Sequence, residues 1–545
     1  NTAASLAQDD DDIHQTVARI AYLSGSASFN RGDDLDNWQE ATVNFPMTLG
    51  DRLYTARDGR IELQTSGVRI YLAPETDLSF LDFRDEIRQL SITIGTASFR
   101  VNQLAEGEVF EVDTPNVSLT LRRPGYYRVD VDQDGNTHAS ILKGAALAVA
   151  GGGEVDLRAG DAIQVDGLDR PQYDLVALPR TDSWDRWVDG RTRDLRESVS
   201  ARYASSDIEG LDDLDREGRW EQIPEHGWAW SPPVTVGWAP YREGRWGWQD
   251  PWGWTWISDE RWGWAPYHYG SWITSHDRWF WVPVPRTVAI VRYAPARVVF
   301  TGSGPGPNVG WFPIGPRDPF SPWWGSRARV NVNLTNATYA NRAHITVVNR
   351  ETFIGGGEVR RGFVKDAAVL RQVAAAPVLR GPIPILPTTA SVRVSAGQGS
   401  ATVIRPPRIE SRVVVTRVAP PQAPPPFQAK LSLIRESGGM PVARVTADKL
   451  STDSRGAKPV VPVRAVPEPG KIVLTPKREG VEVRPIRPVT APPGRVLSTP
   501  EQKPPVQKPP DQKPVALPPV ERHEVRPAPE QKPVERPPQE LRLNQ

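Results

Sequence analysis

Tryptophan is the residue of this chain whose number and spacing most invite a chemical role. Of 20 tryptophans, 14 fall between Trp220 and Trp281, in a unit that recurs after 26 positions. Gly227-Trp-Ala-Trp230, seven residues, Trp238-Ala-Pro-Tyr241 and Gly244-Arg-Trp246 form the first copy. Gly253-Trp-Thr-Trp256, seven residues, Trp264-Ala-Pro-Tyr267 and Gly270-Ser-Trp272 form the second, and a truncated third starts at Trp279. Two roles are open to such an array. Stacked indoles can be the core of a glycine-rich sheet, since each removes ~150–250 Å² from water. Exposed indoles can instead stack on sugar rings or on partner prolines. The candidate core or interaction aromatics are Trp228, Trp230, Trp238, Tyr241, Trp246, Trp254, Trp256, Trp264, Tyr267, Trp272, Trp323 and Trp324. Core is the expected state of Trp238 and Trp264, each followed by Ala-Pro-Tyr. A recognition role is expected, if anywhere, at Trp252 or Trp323-Trp324, which stand beside prolines outside the matched positions.

Other residue patterns point away from catalysis. Asp130-Val-Asp132-Gln-Asp134-Gly135 matches the start of a calcium loop, but the twelfth position is Ile141 where a bidentate Glu is needed, so a hairpin turn is expected. The seven histidines are scattered; His268 and His276 lie eight apart with no metal spacing. Gly302-Ser-Gly-Pro-Gly306 and Gly355-Gly-Gly357 lack the Lys-Ser/Thr of a phosphate loop and read as loops, and Arg31-Gly32-Asp33 is a tripeptide that recurs by chance. With no Gly-x-Ser-x-Gly elbow and no placed Ser/His/Asp set, the sequence predicts no enzyme, no cofactor and no metal site.

The elements that would position these aromatics are mostly strands. Arg60-Ile-Glu-Leu-Gln64, Val68-Arg-Ile-Tyr-Leu72, Phe110-Glu-Val112 and Tyr127-Arg-Val-Asp-Val131 alternate apolar with polar, and Gly-containing turns separate them. Residues 181–206 carry Trp184, Trp187, Leu195, Val199 and Tyr203 at roughly helical spacing, with Thr181 or Asp182 as a cap. In the Trp-rich segment each Trp-x-Trp pair would lie on one face of a strand, with Pro240, Pro266 and Pro283 at strand ends or edges. The two full copies are expected to be equivalent β units.

Leu49-Gly50-Asp51-Arg52-Leu53-Tyr54-Thr55, Gly59-Arg60-Ile61-Glu62-Leu63 and Leu72-Ala-Pro74-Glu-Thr76-Asp-Leu78 together resemble the FecR domain, the periplasmic part of bacterial iron-transport signal transducers. Phe110-Glu-Val-Asp-Thr114-Pro115, Leu142-Lys-Gly144 and Leu157-Arg-Ala-Gly160-Asp161 continue the pattern in order. Those transducers carry an anti-sigma segment and a membrane helix ahead of the domain; neither precedes residue 18 here, so the domain is expected to be borrowed. The run from Gly210-Leu-Asp-Asp-Leu through the repeats to Gly310-Trp-Phe-Pro-Ile-Gly315 and Asn333-Leu-Thr-Asn336 is similar to exported bacterial proteins that follow a FecR domain with a Trp/Gly/Pro module and a proline-rich region. The repeat also loosely resembles choline-binding and cell-wall repeats.

Composition completes the plan. Net charge is +1, but residues 1–370 hold 38 Lys/Arg against 51 Asp/Glu, and residues 371–545 hold 28 against 14 with 34 of the 55 prolines. A basic, proline-rich end suggests an anionic envelope polymer, a protein partner or self-assembly; nothing resembles a nucleic-acid module. Cysteine is absent, which removes disulfides and thiolate chemistry, and no apolar run approaches the ~20 residues of a membrane span. Asn1-Thr-Ala-Ala-Ser-Leu-Ala7 looks like the end of a signal peptide, which together with the resemblance predicts export to the periplasm or cell surface. The expected organisation is mainly β: a flexible N-terminus (1–17), a FecR-like all-β domain (18–170), a short helical linker (171–219), a Trp-rich repeated β module (220–375) and an extended Pro-rich tail (376–545). The tail is expected to order only on assembly, with Val413-Val-Val415 and Ile472-Val-Leu474 as patches able to add to a sheet edge. The function read from all this is a non-enzymatic structural or scaffolding protein, with a FecR-like sensor and a glycan-binding protein as alternatives.

Overall fold

Period-2 alternation over residues 17–176 builds two sheets that share one long strand, Ile87–Val101. The structure, a computed structural model, describes residues 16–466 apart from 152, 197, 206, 289–290, 303–305, 326–336, 395–402, 407–411 and 454–459. The first half of the long strand pairs antiparallel with Asp77–Phe83 and parallel with Val109–Asp113. Its second half pairs with Val68–Leu72 and Gly125–Val131 in the other sheet. The strand passes between sheets at Gly95, where φ is 98° and a Cβ would lie 2.4 Å from the Thr76 backbone. Only glycine takes that bend without strain.

Beyond this shared strand, one sheet extends through Arg52–Thr55, Ala27–Arg31 and Asp34–Glu40 on one side and Ser118–Leu121, Ala145–Ala150 and Gly153–Arg158 on the other. The second sheet extends through Arg60–Thr65 to Ala18–Ser24, and through Thr137–Lys143 and Ala162–Asp166 to Gln172–Val176. Inward-facing Phe29, Leu63, Phe80, Ile92, Phe99 and Phe110 are fully buried between them. The fold is mainly β, as the alternation predicts. At the calcium-like sequence, Asp132 accepts from the amides of Asp134 and Asn136, both at 2.9 Å, so its carboxylate closes a turn between two strands.

The expected linker over 171–219 needs correction. Gln172–Val176 is the last strand of the β body, so the boundary lies beyond 170. Helix α1 (Ser183–Arg196) lies on the sheet: Trp184 donates from Nε1 to Ser98 Oγ at 3.0 Å and stacks on Trp187, which meets Tyr71 edge-on. Helix α2 (Leu211–Glu217) carries Asp212 and Asp213 to Arg69 and Arg19 of the body, at 2.9 and 2.6 Å. Both helices are cladding rather than spacers, because their polar faces find buried partners.

The Trp-rich module holds three small sheets around one aromatic core. Arg219–Ile223, Gly227–Ser231, Arg278–Val282 and Ser271–Ser275 form a four-stranded sheet; Gly244–Gln249 and Gly253–Ser258 form a hairpin; Val298–Thr301, Asn308–Pro313 and Thr346–Asn349 form a three-stranded sheet. The two copies are not equivalent throughout. Trp238-Ala-Pro-Tyr241 is a loop that ends with φ of 63° at Tyr241, whereas Trp264–His268 is helix α3. Pro266 therefore sits in the first turn of a helix, where its missing N–H breaks no bond, and not at a strand edge. Helices α4 (Arg350–Ile354) and α5 (Ala367–Ala375) close the module, each started by a side-chain cap, Asn349 and Asp366.

The tail expected from residue 376 is also corrected. Its described residues up to 466 pack on both β units, with helices α6 (Thr389–Val392), α7 (Phe427–Glu436) and α8 (Arg444–Asp453). Ile383, Ile385, Val392, Phe427 and Ile434 are buried in the aromatic core's outer layer, which is apolar surface that proline content conceals. Val414–Thr416 pairs in parallel with Val463–Ala465 and bridges Thr114, as its β-rich sequence suggests, and Pro424 fits so closely on Gly50 that a Cβ there would lie 2.6 Å from its ring. The second patch, Ile472–Leu474, and the N-terminal signal-like residues lie outside the described residues. No described helix is long and apolar enough to cross a membrane.

Candidate functional site: an aromatic core and the cavity at its edge

Most of the repeat's aromatics are core. Trp230, Trp246, Trp254, Trp256, Trp264 and Trp272, with Tyr241 and Tyr267, are at most 1% exposed. Strand register explains part of this: Trp246 faces Trp256 and Trp248 faces Trp254 across the hairpin, and Trp230 faces Trp281. Three of these indoles donate to backbone carbonyls, Trp230 to Leu214, Trp254 to Ile385 and Trp272 to Pro266, each at 3.0 Å, while the buried Nε1 groups of Trp246, Trp256 and Trp264 have no hydrogen-bond partner. Tyr241 knits the copies together, donating to the Tyr267 carbonyl at 2.8 Å and accepting from the Arg297 amide at 2.9 Å.

Three candidates depart from this pattern. Trp228 is 43% exposed and rests on Tyr203, at the exposed end of a strand whose other end, with Trp230, is buried. Trp238, expected in the core, is only half-buried; it donates to Glu260 Oε1 at 3.0 Å. Glu260 also accepts from Tyr267 Oη, and burial pushes its pKa up to about 8 despite both hydrogen bonds. Trp323 is core, 3% exposed and bonded to the Trp254 carbonyl at 3.1 Å, while its neighbour Trp324 is half-buried.

The Trp module and the β body meet through buried polar contacts that no local pattern announces. Arg19 donates to Gln64 at 2.8 Å and pairs with Asp213; Asn44 donates to the Glu260 carbonyl at 2.8 Å; Gln249 donates to Thr48 at 2.7 Å and accepts from Arg31. The tail completes the junction. Lys430 of α7, fully buried, holds Asp33 of the body at 2.7 Å and Asp250 of the Trp module. Burial opposes both charges, yet the mutual attraction wins: Lys430 is raised, and Asp33 is lowered by Lys430 and Arg31. One ammonium thus ties together three stretches of chain.

At the edge of the aromatic core lies a cavity of about 550 Å³. Trp252, Tyr293, Phe320 and Trp324 give it aromatic walls, and Asp85, Asp207, Glu209, Arg292 and Arg297 give it charge, with Arg292 paired to Asp85 at 3.6 Å. Sequence reasoning named Trp252 and Trp324 as places for recognition, from the prolines beside them, but Trp252 is core, 2% exposed, and backs the cavity wall, while Trp324 is half-buried; it missed Glu209, Tyr293 and Arg297, which no motif marks. Glu209 accepts from Tyr269 Oη, and burial raises its pKa. His268, packed against Tyr293 at 4.7 Å, is neutral: burial takes its pKa down to about 3, against the help of its Nδ1 contact with the Ala294 carbonyl. Among the described residues no group of three His, Asp or Glu side chains could hold a metal ion.

Residues 211–318, from α2 through the aromatic core, match a family of unknown function (DUF6600). A search of curated proteins finds no match. Two crystal structures of a proposed anti-sigma factor from Parabacteroides distasonis ATCC 8503 are similar in part: one at 18% identity and TM-score 0.21, over 23% of this chain and 59% of the other, and one at 17% and 0.23, over 26% and 65%. The chain thus spans less than two thirds of either structure's own length.

Proposed function

We propose that this chain is an exported, non-enzymatic scaffolding protein of the cell envelope or extracellular space. The observation that carries the reading is the junction at Lys430, where a C-terminal helix is bonded at once to the β body and to the Trp module. Such a tie serves a protein whose parts must keep a fixed relation, and burying the tryptophans serves the same end. Residues 467–545, with 14 Lys/Arg, 10 Asp/Glu and 20 prolines, are the segment offered to partners: copies of the same chain or an anionic envelope polymer. Export rests on the signal-like start and on the FecR-like pattern over residues 49–161.

Fractionation of the native cell, joined to analytical ultracentrifugation of the purified chain, tests this. Recovery with the envelope and concentration-dependent self-association, or sedimentation with acidic wall polymer, is expected. Recovery in the cytosol, or a monomer that ignores such polymer, refutes it. A second reading, a periplasmic sensor contacting a membrane partner, draws on the same FecR-like pattern. It requires a membrane transducer to co-purify with the native protein.

A further inference from the structure

The cavity beside the aromatic core combines features that a packing defect would not. Its volume, about 550 Å³, falls within the ~300–1,000 Å³ typical of small-molecule sites and leaves room for a disaccharide. Its walls are aromatic: Trp252, 2% exposed, backs Tyr293 edge-on at 5.1 Å, and the half-buried rings of Trp324 and Phe320 lie 5.8 Å apart. Such planes suit a ligand with flat C–H faces. Polar groups are set between them, so a purely apolar ligand would strip water from charges and return nothing.

Arg297 is the informative member. Its Nε donates to the Gly270 carbonyl at 3.1 Å, and its guanidinium carbon lies 4.7 Å from the centre of the Phe320 ring. Among the described residues it has no carboxylate within ion-pair distance and no hydrogen bond from its terminal nitrogens. Burial lowers its pKa and only Tyr241 opposes the shift, a sign of a cation without a counter-ion. A second, independent mark is Tyr293, whose buried hydroxyl has no hydrogen-bond partner. Arg with free terminal nitrogens is the side chain best shaped for a carboxylate, which it takes with two parallel bonds. Glu209, in the cavity wall, can meet a hydroxyl group.

We infer that this cavity is a binding site for a saccharide bearing a carboxylate, held by stacking on Trp324 and by a carboxylate–guanidinium pair at Arg297. The site belongs to the folded body, so it is independent of the assembly assigned to the proline-rich end.

Titration calorimetry of the full-length protein with tetragalacturonate, against neutral maltotetraose, tests it. One saturable site for the acidic sugar is expected, with tryptophan emission changing in step and affinity falling as salt is raised. Arg297→Gln should weaken the acidic sugar at least tenfold and leave the tail, which also attracts anions, untouched. Trp324→Ala, at a half-buried position, is the second variant should Arg297→Gln lower the melting temperature; it should weaken binding about as much. Binding that survives both variants lies elsewhere, on the basic tail, and overturns the assignment. So does equal affinity for the neutral sugar, or no saturable binding of the acidic one.

Discussion

Replacing Lys430 by Met keeps the volume of the side chain and removes the charge on which three segments converge. Lys430 is 1% exposed, Asp33 4% and Asp250 26%, so the loss strands one carboxylate in the interior and a second near it. Removing one partner of a buried pair costs ~3–5 kcal/mol. Asp33 can escape by taking a proton, but its carboxyl, held below the usual carboxylate range by Lys430 and Arg31, would have to be neutral at pH 7, which is itself costly. Against this stand the apolar anchors of α7, Phe427 and Ile434, worth ~1.5–3 kcal/mol apiece before the entropy of ordering the helix is charged. The penalty matches the anchorage, so α7 should release while the β body stays folded. Hydrogen exchange read by mass spectrometry should find residues 427–436 exchanging ~100- to 1,000-fold faster, with the strand Ile87–Val101 unchanged. Adding Asp33→Asn and Asp250→Asn to Lys430→Met should restore at least part of the protection, because no charge is then left unpaired. An α7 that exchanges in Lys430→Met as slowly as in the parent would show that the tie carries no load, and the scaffold reading would lose its main support.

Other outcomes follow from the same contacts. Trp264→Ala, at a 1%-exposed position, should cost ~3–5 kcal/mol in denaturant titration, whereas Trp228→Ala, at 43% exposure, should leave the midpoint nearly unmoved; equal effects would refute the assignment of core and rim. Glu260 is protonated in the folded protein up to about pH 8 but ionises near 4.5 when unfolded, so it withdraws stability as pH rises through that window. Glu260→Gln should therefore melt higher than the parent at pH 8–9, with the gain fading below pH 5; a gain independent of pH would exclude this cause. Asp33 has the opposite sign: its folded pKa lies below the unfolded value near 4, so its contribution is complete above that value and is lost in acid as pH falls through the folded pKa. Ending the chain at residue 375 should expose apolar surface around Trp254 and Phe353 by removing Ile383, Ile385 and Phe427, and the product should aggregate or be cleaved faster than the full chain. A stable, monomeric 1–375 fragment would restore the view of the tail as a mere appendage.

The period of the apolar residues was enough to identify the β body, because a strand's two faces are written directly in alternate positions: Ile61 and Leu63, Ile70 and Leu72, Val129 and Val131 all point inward. The number of indoles was enough to foresee an aromatic core, since no small sheet can leave so much apolar surface in water. What tertiary structure decided is what landed on each residue. Trp228 and Trp254 hold the same place in the repeat, yet one is at a rim and the other lies beneath Ile385, 131 positions away. Trp238 and Trp264 share the same following triplet, but one segment is a loop and the other a helix: α3 packs on Arg19 of the body through Trp264, while Trp238 packs on Trp262 and Trp272 and bonds to Glu260 within the module. Lys430 was one lysine of a basic, proline-rich stretch until the fold brought Asp33 and Asp250 to it, 397 and 180 residues away in sequence. Composition registers how many prolines and charges a segment has and is blind to partners so distant. That is why the tail's anchors and the unpaired guanidinium at Arg297 emerge only in three dimensions.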